Sequence, residues 1–305
     1  MRESDDGLPP PGDGACRQTG TFICNGPTAT KCSVTKANCT TLPGGCTELC
    51  DGIDNDCDGS VDEPNNAPGA NSAFSYKPKV TKIAASTWVM SYEASRPSAT
   101  ATAPGSGNGY WTSAPSGTTL DKTPACSETG KIPWFNVTGT EVEQTCAAMG
   151  GVACSTATWQ IACNATVPCK WGYSPRGAAC TSVAVLSPPA TAKFCNLGTT
   201  FDFDSGTTGD QDGLLPTHSP LLKSCSDDWS GQFGNTSAND QIWDMTGNLR
   251  EIVKQANNSY KLMGGAFNTQ SEDGAQCSFT FYSVDQNFKF FDTGFRCCFN
   301  TDPTL

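Results

Sequence analysis

The chain has 305 residues, with 19 Lys and Arg against 30 Asp and Glu, a net charge of -11 and a pI near 4.5. An acidic surface repels phosphate backbones, which argues against nucleic acid as a partner, and no apolar run reaches the eighteen residues of a membrane-spanning helix. Only 16% of residues are charged while Gly, Ala, Ser and Thr are common, a mixture that predicts a crosslinked, loop-rich fold rather than a helical bundle.

Eighteen cysteines stand beside a single histidine, His218, with no paired C-x-x-C elements. Zinc is therefore a poor explanation, and disulfides formed in an oxidising compartment are the simpler one. The expected location is extracellular or at a cell surface. The opening R-E-S-D-D-G-L-P-P-P-G-D-G has no apolar core of a signal peptide. The expectation is that numbering starts at or near a mature terminus. Met1 is then either a start added for expression or the position of a lipid-anchored Cys.

In chain order, residues 1–15 read as a Gly/Pro/Asp-rich tether and 16–66 as a Cys-rich module with few large apolar residues. Residues 67–75 form a linker, 76–300 a larger module holding all seven Trp, and 301–305 a tail. Strand-like stretches occur at 82–92, 260–267 and 288–299. Thr138-Gly139-Thr140-Glu141 is a capping box opening a helix with Val142, Cys146 and Met149 on one face, and a second short helix is expected over 155–163. The two modules hold seven and eleven cysteines. Because both numbers are odd, complete pairing needs at least one bridge between modules. Adjacent Cys297 and Cys298 on a strand would point to opposite faces and take different partners.

The strongest local signal is C-D-G-I-D-N-D-C-D-G-S-V-D-E, residues 50–63. Asp54, Asp56 and Asp58 alternate before Gly59, as in EF-hand-type loops, with Ser60, Asp62 and Glu63 as further oxygen donors. Asn65 replaces the twelfth-position Glu, so a compact D-x-D-x-D-G-x-x-D loop fits better than a full EF-hand. Residues 37–76 contain seven acids and no Lys or Arg. Close carboxylates repel by about 1 kcal/mol per pair at 4 Å even in bulk water, a cost that a divalent cation relieves. Calcium is the expected ion. The segment 16–63 also resembles a metal-binding motif that recurs in secreted and surface proteins of predatory and soil-dwelling bacteria.

Residues 76–300 resemble the sulfatase-modifying-factor (formylglycine-generating-enzyme-like) family. The resemblance rests on six fragments in order: Y-E-A-S at 92–95, P-W-F-N-V-T-G-T-E-V-E-Q-T-C at 133–146, Trp159, D-M-T-G-N-L-R-E-I-V at 244–253, G-G-A-F at 264–267 and G-F-R-C at 294–297. It implies an α+β chain of low regular secondary structure, with a C-type-lectin-like domain after a small disulfide-rich calcium-binding module. It also implies one calcium at Asp244 and Glu251 with the carbonyls of Gly247 and Leu249, and a second at Asn196, Leu197, Asp210 and Asp212.

Active members of that family hold Cu(I) with two nearby thiols. Here the stretch A-Q-C-S-F-T-F-Y-S-V-D supplies only Cys277, and the family's R-L-P-T-E is reduced to A-C-S-T-A. The resemblance therefore implies a non-catalytic scaffold, with Cys277 in a structural disulfide. The leading functional expectation is a binding or adhesion protein for a glycan or surface-protein ligand. Tyr110 and Trp111 in a Gly/Ser-rich segment are its first candidates, with Trp171, Tyr173 and Arg176 behind them. Self-assembly as a surface-appendage subunit is the alternative, and a formylglycine-generating oxidase stands third.

Overall fold

In the computed structural model, the residues described are 22–24, 30–32, 46–52, 55–56, 62, 75–105, 124–164, 170–173, 193–198, 213–236, 240–257 and 259–305. The chain divides into two compact units, Met1–Lys77 and Pro78–Leu305. In the first, β1 (Phe22–Cys24) and β2 (Thr30–Cys32) form a small antiparallel pair, with Phe22 opposite Cys32 and Cys24 opposite Thr30.

The second unit is α+β and mostly sheet. It begins with β3 (Val80–Ala84) and β4 (Thr87–Met90). The stretch that reads as one alternating strand is thus a hairpin, turning at Ala85 and Ser86. Both arms pack on the same core, with Ile83 and Val89 buried, although burial alternates in β3 and not in β4, where Val89 and Met90 are both buried. Helix α1 (Gly139–Ala148) starts where its capping box predicts. The Glu141 amide donates to Thr138 Oγ1 at 3.2 Å, and the Thr138 amide donates to Glu141 Oε2 at 2.6 Å. After β5 (Val152–Ala153), Ser155 caps α2 (Thr156–Cys163), its hydroxyl accepting from the Thr158 amide at 3.0 Å.

Then follow β6 (Ser226–Asp228), β7 (Gln241–Trp243), β8 (Arg250–Lys254), β9 (Tyr260–Met263), β10 (Thr280–Val284), β11 (Thr293–Gly294) and β12 (Cys297–Phe299). Two four-stranded sheets result, ordered β10-β9-β8-β11 and β3-β4-β12-β5, with β6 and β7 as a separate pair. The stretch 288–299 is therefore two short strands in different sheets; β11 runs parallel to β8 and β12 antiparallel to β4.

Short strands bury little surface, and here crosslinks supply what length does not. Cys297 and Cys298 take different partners, Cys146 in α1 and Cys154 ahead of α2. Cys163–Cys277 fixes the end of α2, and Cys195–Cys225 closes a further loop. Trp159, fully buried, centres a core with Ile83, Val89, Trp229, Ile242, Met245, Val253 and Met263. Two glycines permit close backbone approaches, Gly264 against that core and Gly247 against Asn196 and Leu197. A Cβ on Gly264 (φ +86°) would stand 2.5 Å from the Met245 carbonyl, and one on Gly247 (φ +81°) 2.3 Å from that of Asn196.

Replacing Cys154 and Cys298 together by Ser opens a bridge spanning 144 residues. Guanidinium denaturation should show the second unit less stable by about 3 kcal/mol.

Candidate metal centre

The acid-rich loop is held together by two carboxylates. Glu48, 2% exposed, accepts the amides of Asn55 (2.7 Å) and Asp56 (2.8 Å) on Oε1 and that of Asp62 (2.9 Å) on Oε2. Asp62, 1% exposed with φ +51°, accepts the amides of Asp51 (2.8 Å) and Gly52 (3.0 Å) on Oδ1. Asn55 Oδ1 accepts the Leu49 amide at 2.9 Å. Acceptor-only groups thus satisfy amides that a tight loop leaves without helix or sheet partners.

Glu48 has no place in the D-x-D-x-D pattern, and sequence reasoning missed it. Its signal was only an acid just ahead of the repeat. Asp51 and Asp56 are half-buried on the clamped backbone. Asp54, Asp58, Ser60 and Glu63 lie outside the described residues. Cys46 and Cys50 are disulfide-bonded, so the nearby described donors are oxygens rather than thiolates. Among the described residues, no three His, Cys, Asp or Glu side chains converge as a metal would require.

The residues assigned by resemblance to a first calcium site meet in a buried polar centre of the second unit. Asp244 Oδ2 accepts the His218 amide at 2.8 Å. Glu251 accepts Arg296 Nε on Oε1 at 2.6 Å and Trp159 Nε1 on Oε2 at 2.7 Å. Between Gly247 and Leu249, Asn248 (φ +57°) uses its whole amide. Nδ2 donates to Glu93 Oε2 (2.6 Å) and the Leu215 carbonyl (3.0 Å), while Oδ1 accepts from Asn196 Nδ2 and the Leu215 amide, both at 3.0 Å. Glu93 Oε1 accepts the Leu249 amide at 3.0 Å.

Of three buried carboxylates, Glu93, Asp244 and Glu251, it is Glu251 that pairs with the Arg296 guanidinium, whose charge also acts on the other two. Burial pushes the Glu93 carboxyl well up, and the charges of Asp244 and Glu251 add to this against Arg296. Burial likewise raises Glu251, and it pushes Asp244 up to about 6, opposed by the His218 amide and Arg296. Glu93 and Arg296 sit inside quoted fragments, yet they were not assigned roles. Charged residues inside otherwise apolar landmarks were the available signal.

For the second implied site, Asn196 and Leu197 are buried, and Asp210 and Asp212 lie outside the described residues. A buried ammonium, Lys193 Nζ, donates to the Leu197 carbonyl, and Asn196 Oδ1 has no hydrogen-bond partner among the described residues. Trp171 and Tyr173 are 6% and 4% exposed and pack into a core cluster with Cys195, Leu197 and Cys225, so they present no open stacking face. Tyr110, Trp111 and Arg176 lie outside the described residues. Cys277 is bridged to Cys163.

The family model Cu-binding_MopE, described as a "putative metal-binding motif", matches residues 42–63, the segment clamped by Glu48 and Asp62. No curated protein matches the chain. Among solved structures, Treponema denticola variable protein 1 is similar at 12% identity and a TM-score of 0.41, covering 74% of this chain and 92% of that one. CarF is similar at 16% and 0.34, covering 56% and 68%. PvdO from Pseudomonas aeruginosa is similar at 14% and 0.35, covering 56% and 64%. Likeness at this level carries no functional argument.

The buried carboxylates set a pH dependence. A carboxyl whose folded pKa exceeds its unfolded value takes up protons on folding, so its stabilising contribution is lost as pH rises through the folded value. For Asp244 the window runs from 3.8 to about 6. In chelator-treated buffer, unfolding free energy should fall on the order of 2 kcal/mol between about pH 4 and pH 7. Asp244→Asn, which keeps an acceptor for the His218 amide and tolerates positive φ, should flatten that slope.

Proposed function

We propose that the chain is an exported, calcium-stabilised, disulfide-crosslinked binding protein, its second unit a non-catalytic scaffold of the sulfatase-modifying-factor, lectin-like type. The observation that carries the reading is the Glu48–Asp62 clamp, because it preorganises a loop of oxygen donors within the segment matched as a metal-binding motif. The matched model names copper. The donor chemistry favours a hard cation: Asp54, Asp56, Asp58, Ser60, Asp62 and Glu63 offer oxygen, and the chain's only imidazole, His218, belongs to the second unit. Calcium bound there would offset the crowding of acid side chains and tie the loop to its clamp.

Export is supported by oxidation state. Each of the eleven cysteines whose side chains are described is disulfide-bonded, which a reducing cytosol would not sustain. No described helix is long and apolar enough to cross a membrane. The scaffold reading is supported by the meeting of distant fragments. The Gly247 amide donates to the Gly264 carbonyl at 2.9 Å, the Ala94 amide donates to the Phe295 carbonyl at 2.9 Å, and Arg296 pairs with Glu251. Its non-catalytic character is supported by the Cys163–Cys277 bridge, which occupies the thiol that an oxidase would need.

Calorimetric titration tests the metal. The chain should bind calcium at the loop, and at about a hundredfold excess over the dissociation constant the first unit should gain about 2.7 kcal/mol. The pair Asp56→Asn and Asp58→Asn should abolish that gain, and Glu48→Ala should weaken binding about tenfold by loosening the loop. Stoichiometric copper binding with no calcium response would overturn the assignment.

A further inference from the structure

Strand β10 inverts the usual pattern of a sheet over a core. It is the outer strand of its sheet, and Phe281 and Tyr282 are 40% and 60% exposed. Thr280 pairs with Met263 and Ser283 with Lys261, so Phe281 and Tyr282 together oppose the single residue Leu262. Such a bulge twists the edge and hinders addition of another strand, so the rings rather than the backbone are presented. Past the turn, Phe290 is 48% exposed and packs on Phe291 at 4.5 Å between centroids.

One buried ion pair connects the Phe281 ring to the chain beside Phe291. The Arg250 guanidinium lies 4.1 Å from the centre of the Phe281 ring and pairs with Asp292, next to Phe291. Arg250 Nε and Asp292 Oδ1 are buried without hydrogen-bond partners among the described residues, although the two residues hold each other. Between the aromatic groups, the turn is fixed by Asp285 Oδ1, which accepts the amides of Asn287 (2.8 Å) and Phe288 (3.0 Å). The Thr140 amide, in the first turn of α1, donates to the Gln286 carbonyl at 3.2 Å. Ser283, Gln286 and Asn287 remain exposed on this fixed backbone.

Area and charge narrow the occupant. Three rings exposed by about half present about 300 Å², well short of the roughly 800 Å² per partner of a stable protein interface. A net charge of -11 opposes both a second copy and an anionic lipid surface. Rigid rings beside exposed amides and a hydroxyl suit a ligand with one apolar face and a hydroxylated rim, which is the chemistry of a pyranose. We propose that Phe281, Tyr282 and Phe290, with Ser283, Gln286 and Asn287, form a binding ledge for a neutral glycan. This gives a ligand class to the binding protein inferred above and uses no residue of the metal-binding segment.

The test uses the full, oxidised chain in calcium with three probes: cellohexaose, chitohexaose and mannohexaose. At least one should bind by calorimetry and retard the protein in affinity gels. Tyr282→Ala and Phe290→Ala should each weaken that binding at least tenfold while melting within about 2 °C of the wild type. Tyr282→Phe, which keeps the ring, should retain most of it. Asp56→Asn with Asp58→Asn should leave glycan binding intact even where it removes calcium, so failure of the two readings is separable. Absence of binding to all three probes, or undiminished binding in Tyr282→Ala, would overturn the proposal. So would a concentration-dependent dimer in light scattering that Tyr282→Ala abolishes, which would assign the ledge to a second copy.

Discussion

The second unit depends on the contact between Arg296 and Glu251 deep in its core. The guanidinium reaches Glu251 and the carbonyls of Met90 and Trp243, so one residue near the end of the chain ties β4, β7 and β8 together. A charge so placed is tolerable only when its hydrogen-bonding groups are met. Glu251 completes its own requirement through the indole of Trp159, which joins the pair to the apolar cluster around that ring. Removing one partner would leave a desolvated ion, a loss of several kcal/mol and not a local adjustment.

Around this pair the chain builds with turns rather than long elements. Asp244, Gly247 and Asn248 all adopt positive φ within five residues. The backbone coils tightly enough for Asn248 to bond Glu93, Asn196 and Leu215 at once. The first unit applies the same device with carboxylates, since Glu48 and Asp62 collect the amides of Asp51, Asn55, Asp56 and Asp62. In both units, polar side chains replace the regular hydrogen bonding that longer helices and strands would supply.

What was legible in the sequence followed from local chemistry. The caps at Thr138 and Ser155 act within three residues, so both helices were foreseeable. The opposite placement of Cys297 and Cys298 follows from strand pleat alone. The hairpin at Ala85 and Ser86 was not foreseen, because the turn holds no Gly, Pro, Asn or Asp and Ser is the weakest of the turn formers. Strand β10 was hidden because its bulge breaks the period and its aromatics face outward. Glu48, Glu93 and Lys193 were missed for another reason. Their partners lie up to 156 residues away or are backbone groups, and neither leaves a mark in the local pattern.

The neighbouring cysteines of β12 constrain how the molecule must be made. Their partners, Cys146 and Cys154, emerge from synthesis about 150 residues earlier and must wait unoxidised, or wrongly joined, until β12 arrives. Two thiols side by side are chemically alike, so only the side of the sheet on which each lands can distinguish them. Correct pairing therefore requires β12 to dock before it is covalently sealed, which makes that strand the latch of the second unit.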